Sequence, residues 1–210
     1  MAKTKIAVLV SGGGSNLQAL IDAQGSVLNS GEITLVVSNA RGAYALERGA
    51  KVGIPGYVIP RKSFDSNHAM TVAVVEKLKE LEIDLVVLAG CMVIFTRELV
   101  EAYPNAIMNV HPALIPSFCG AGYYGLHVHE AALRYGVKLS GATVHFVSEE
   151  CDGGPIIAQK AVPVMENDTP ETLQRRIMEQ AEWKLLPEAV SLFCQGRLSV
   201  EGRTVMIKEK

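Results

Sequence analysis

The four cysteines, Cys91, Cys119, Cys151 and Cys194, form no C-x-x-C pair. That excludes a zinc knuckle and a thioredoxin-like redox motif. A chain of 210 residues needs no disulfide staples, so free thiols are expected. Long apolar runs are missing too. The longest, Leu85 to Phe95, contains Gly90 and is too short to span a bilayer. The N-terminal run Ile6 to Val10 is shorter than a signal-peptide core and stops at glycines, so a cytoplasmic location is expected. Neither sign of charge is in excess: 20 Lys and Arg stand against 22 Asp and Glu. A nucleic-acid or membrane-surface role needs a basic field, and none is present.

Apolar residues make up 49% of the chain, enough for one substantial core, and no linker or repeat divides it. Residues 1–210 therefore read as a single domain with a first half, 1–110, and a second, 111–210. Strand-like runs at 5–10, 33–38, 57–60, 84–89 and 106–110 alternate with helical patterns near 16–23, 43–51, 66–81 and 96–103. Strands that are apolar along their length, with helices between them, predict a doubly wound α/β fold around a mostly parallel, Rossmann-like sheet. The second half reads differently. A Pro-, Gly- and Tyr-rich loop (111–125) leads to a helix at about 126–135, then to two long strands (138–148 and 155–165) flanking EECDGG. A further helix starts with Thr169 as N-cap and Pro170 at its first position. The tail RLSVEGRTVMIKEK reads as a hairpin turning at Glu201–Gly202.

Two local patterns carry chemistry. In KIAVLVSGGGSNLQALIDA, the glycines Gly12, Gly13 and Gly14 let the chain turn sharply and point N–H groups at an anion, and the following helix adds its positive end. Leu17 stands where a dinucleotide fingerprint needs its third glycine, and no Lys-Ser/Thr pair makes a P-loop. Ser15 and Asn16 suit one terminal phosphate; as helix caps in a plain turn they would do equally well. In AIMNVHPALIP, Asn109 and His111 lie two apart at the carboxyl edge of a predicted parallel strand, hence on one face. An amide beside a titratable donor is what a developing oxyanion needs. Asp152 sits in the EECDGG turn, and if the fold brings it to His111 it should raise the histidine pKa above about 6.5. The bland alternatives are strand-end caps and an Asx turn. His127 and His129 fall on different helix faces, His145 is expected to pack along its strand and His68 to lie on the surface near a helix start. No metal is inferred.

Taken together, VSGGGSNLQALIDA, LAGCMVIF, NVHPALIP, GATVHFVSEECDGGPI and AEWKLLP resemble, in order and over nearly the whole chain, the folate-dependent phosphoribosylglycinamide formyltransferases of purine synthesis. The resemblance implies transfer of a formyl group from 10-formyltetrahydrofolate, as co-substrate, to the amine of glycinamide ribonucleotide. By position it implies that Gly14, Ser15 and Asn16 hold the phosphate and that Glu182 meets the glycinamide end. Met92, Val93, Ile94 and Phe95 would line the pterin pocket, with Asn109 beside it. Asn109 and His111 would act on the formyl group, with Asp152 tuning His111. Partners would be small molecules only, with no nucleic acid or membrane, and the chain would be a monomer or homodimer. Asn67 and Val93 replace arginines common in the family, and SFCGAGYYG is a longer loop that would form a flap. The rival readings are a formyl-folate hydrolase and a non-catalytic nucleotide-binding module.

Overall fold

The computed structural model describes residues 2–209. The first-half runs become β1 (Thr4–Val10), β2 (Gly31–Ser38), β3 (Gly56–Val58), β4 (Leu85–Leu88) and β5 (Ile107–His111). Between them lie α1 (Ser15–Ala23), α2 (Tyr44–Lys51), α3 (Asn67–Glu80) and α4 (Arg97–Ala102). The five strands are parallel and ordered β3-β2-β1-β4-β5. Successive residues of β1 point to opposite sides, and both sides are covered. Ile6, Val8 and Val10 pack with Leu17, Leu20 and Leu186, whereas Ala7 and Leu9 pack with Met70, Val74 and Leu78. That two-sided burial is why the runs are apolar throughout rather than alternating.

From β5 onward the sheet turns antiparallel through β6 (Leu139–Phe146) and β7 (Ile156–Pro163). The helices of this half are α5 (Leu126–Tyr135), α6 (Pro170–Ile177) and α7 (Trp183–Cys194). The hairpin β8 (Leu198–Glu201) and β9 (Thr204–Ile207) joins the same nine-stranded sheet, beside β7. Its turn lies at Gly202–Arg203, one residue later than expected, because Gly202 takes the left-handed conformation (φ 61°). Thr169 caps α6 as expected, its hydroxyl accepting from the Thr172 N–H. The periodicity did not show that α6 and α7 are joined by a π-helical turn, Met178–Glu182. Such turns widen the helix by one residue and commonly mark functional positions. No helix among the described residues is long and apolar enough to cross a membrane.

Candidate active site

β1, β4 and β5 are parallel neighbours, so their carboxyl ends open on one edge of the sheet, where ligands of such sheets bind. The glycine loop leaves β1 there. Gly14 adopts the left-handed conformation (φ 70°), and a Cβ at this position would lie 2.6 Å from that of Ala45. Only glycine allows both the turn and the close approach of α2. No side chain caps α1 and its first turn holds no acid, so the capping alternative is not realised and the free N–H groups remain open to an anion. Gly12 to Asn16 border a cavity of about 400 Å³ with Tyr44, Arg48, Gly90 and Met178.

Asn16 behaves differently from Ser15. Its side chain is buried, and Nδ2 donates to Glu182 Oε2 at 2.6 Å, 166 residues away. Its Oδ1 is buried without a partner. The side-chain NH2 is therefore committed to Glu182, while the backbone N–H is left for an anion. Burial pushes the Glu182 carboxyl up to about 7, with the Asn16 bond opposing.

Asn109, His111 and Asp152 do converge. His111 Nδ1 lies 3.5 Å from Asp152 Oδ2, and Asn109 Nδ2 donates to Asp152 Oδ1 at 3.4 Å. Asp152 also accepts the Gly120 N–H at 2.9 Å and sits at φ 54°, a conformation aspartate tolerates better than most residues. Burial raises its pKa, but the adjoining His145 ring, the His111 charge and the Gly120 N–H together bring it below the usual carboxylate value. Since the Phe118 carbonyl can only accept, His111 Nε2 carries the proton of the 2.8 Å contact between them.

The expected rise in the His111 pKa is not found. Burial lowers it below 6.5, outweighing the Asp152 charge and the Phe118 bond, with His145 adding to the lowering.

His145 is the member that sequence reasoning missed. Register places it opposite Asn109 across the β5–β6 pair. Its Nδ1 donates to the Phe146 carbonyl at 2.8 Å, and its Nε2 lies 3.2 Å from Asn109 Nδ2 and 3.6 Å from Asp152 Oδ1. Cross-strand pairing was the missing signal, because a lone strand histidine says nothing about its partner.

In the segment after β4, Val93 and Phe95 pack toward the core, while Met92 is 54% and Ile94 78% exposed. The alternation leaves only Met92 and Ile94 as open side chains. Asn67 Nδ2 donates to the Ile94 carbonyl at 3.5 Å, and Arg61 Nε donates to Asn67 Oδ1.

His129 on α5 is fully buried with neither ring nitrogen partnered, and burial, helped by His111, lowers its pKa to about 4. His129 and Glu182 should tilt stability in opposite directions with pH. An unfolded histidine takes up its proton near 6.5 and the folded one only near 4, so this residue costs stability as pH falls through that window. Unfolded glutamate ionises near 4.5 and the folded group near 7, so Glu182 costs stability as pH rises. Each full shift is worth about 3 kcal/mol. Relative to the unaltered chain, His129→Leu should gain stability toward pH 4.5 and Glu182→Gln toward pH 7. Urea midpoints across that range check both signs.

An open α/β sheet with a glycine loop and an Asn–His–Asp cluster at the carboxyl ends of its strands is the layout of α/β enzymes that act on small molecules. A formyl transferase family profile matches residues 4–190, and the chain belongs to that family. The structure of glycinamide ribonucleotide transformylase 1 from Symbiobacterium toebii superposes with a TM-score of 0.93 at 42% identity, covering 99% of this chain and 95% of that one. Phosphoribosylglycinamide formyltransferase of Haemophilus influenzae is 39% identical over 206 residues, 98% of this chain and 94% of its own length. The bovine trifunctional purine biosynthetic protein adenosine-3 is 42% identical over 99% of this chain, which spans only 20% of that protein.

Proposed function

We infer that the chain transfers the formyl group of 10-formyltetrahydrofolate to the amine of glycinamide ribonucleotide in purine biosynthesis. The observation that carries this reading is the convergence of Asn109, His111 and Asp152 beside an uncapped glycine loop. The phosphate sits on the N–H groups of Gly14, Ser15 and Asn16, and the amine end faces Glu182. An arriving ammonium there would draw the Glu182 pKa down again and favour the carboxylate. Formyl-folate lies along the segment Met92–Phe95, held through its backbone and the open Met92 and Ile94 side chains.

The amine attacks the formyl carbon, and negative charge grows on the formyl oxygen. Asn109 Nδ2, giving up its long 3.4 Å bond to Asp152, and His111 Nε2 donate to it. The formyl oxygen takes the place of the Phe118 carbonyl on Nε2, so the 117–125 loop yields that bond when substrate enters. The Nε2–H donates in either protonation state, and the Asp152 carboxylate beside Nδ1 stabilises the imidazolium form as negative charge grows on the oxygen. The attacking amine loses its proton as the folate nitrogen gains one, and no covalent enzyme intermediate forms. Four free thiols accord with a cytoplasmic setting.

The test is a turnover assay with both substrates. Folate product should form only when the ribonucleotide is present, with one formylated ribonucleotide per folate released. Formate release without ribonucleotide would make the chain a hydrolase; no turnover would leave a binding module.

A further inference from the structure

Resting on that reading of the glycine loop, we propose that Arg48 binds the substrate phosphate and sets the preference for a phosphorylated ribonucleotide over its dephosphorylated form. Gly12 to Asn16 carry no charge, and Arg48 is the only charged side chain bordering their cavity among the described residues. It is half-buried on α2 and held by three contacts. Nε donates to the Gly13 carbonyl at 2.8 Å, NH1 donates to Gln18 Oε1 at 2.8 Å, and the guanidinium stacks 4.9 Å from the centre of the Tyr44 ring.

None of these partners is a carboxylate, so the charge is uncompensated. Arginine has five N–H donors, and these two hydrogen bonds leave the outer part of the fork unused. The loop is clamped from the same side: the Ala45 N–H donates to the Gly12 carbonyl at 3.1 Å, and a Cβ on Gly14 would stand 3.5 Å from Arg48 Cδ. A second sign of a missing ligand is Asn16, 7% exposed and bordering the same cavity, whose Oδ1 has no partner. A ribose hydroxyl or amide N–H would satisfy it, while the phosphate meets the loop N–H groups and Arg48.

A planar fork already stacked and tethered loses little freedom on binding, and its match to phosphate oxygens is bidentate. Backbone N–H groups and the α1 terminus accept any small anion, whereas a full positive charge favours the dianion.

The test compares the unaltered chain with Arg48→Met and Arg48→Lys, using glycinamide ribonucleotide and its dephosphorylated riboside. Arg48→Met should raise the ribonucleotide KM about 10- to 100-fold with kcat changed less than about twofold. Arg48→Lys, which keeps the charge and loses the fork, should fall between. The kcat/KM ratio of ribonucleotide to riboside should drop by the same factor in Arg48→Met. An arginine that merely tethers the loop would lower both substrates alike, leave the ratio unmoved and overturn the proposal. Ribose 5-phosphate binding by calorimetry separates the two readings. Weaker binding to Arg48→Met supports the Arg48 assignment even if no formyl transfer is found, and equal or absent binding in both chains overturns it.

Discussion

Asp152→Asn should lower turnover at neutral pH by about 100- to 1000-fold, the usual cost of losing a well-placed oxyanion donor. Burial already holds His111 below its ordinary pKa, and the Asp152 charge is the main force opposing it. Removing that charge lets burial push His111 further down, so imidazolium becomes harder to reach as the oxyanion forms. The substitution also sets an NH2 against the Gly120 N–H or the Asn109 amide, two donors that Asp152 now satisfies. The deficit should be largest at neutral and higher pH and should partly recover toward lower pH, until protonation of the attacking amine opposes the gain. Ribonucleotide affinity should change little. Single-turnover rates across pH check this, and near-normal turnover with an unmoved profile would remove Asp152 from its role.

Gly154→Ala should destabilise the fold by about 3 kcal/mol, at the upper end of ordinary overpacking costs. Gly154 is buried at the end of the turn that carries Asp152, and a Cβ there would fall 1.8 Å from the Phe146 carbonyl oxygen and 2.8 Å from its carbon. These are backbone atoms beside the β6–β7 pairing, where the Phe146 N–H donates to the Pro155 carbonyl at 2.9 Å. The strand ends must separate, carrying Asp152 away from His145 and His111, so activity should fall with stability. Gly153→Ala is the control. Its Cβ meets only the Glu150 side chain, which can swing into solvent, so a cost under about 1 kcal/mol is expected. Equal urea midpoints for the two variants would refute the backbone-clash argument.

What the sequence determined by itself was local or periodic. Apolar runs such as Ile6 to Val10 identified the parallel strands, because two-sided burial leaves no polar position along them. Three glycines before a helix marked the sharp turn that leaves β1, and spacing alone put Asn109 and His111 on one strand face. Motif order over the chain pointed to the family that the profile match then established. Four features came only from the tertiary structure. His145 reached the site through antiparallel register with β5, and Asn16 met Glu182 across 166 residues. Arg48 came to the glycine loop because α2 packs against it. Finally, the direction of the His111 shift turned on burial against one neighbouring carboxylate. A sequence shows which groups are available to charge one another, but the depth at which they lie sets the desolvation cost, and depth belongs to the packed chain.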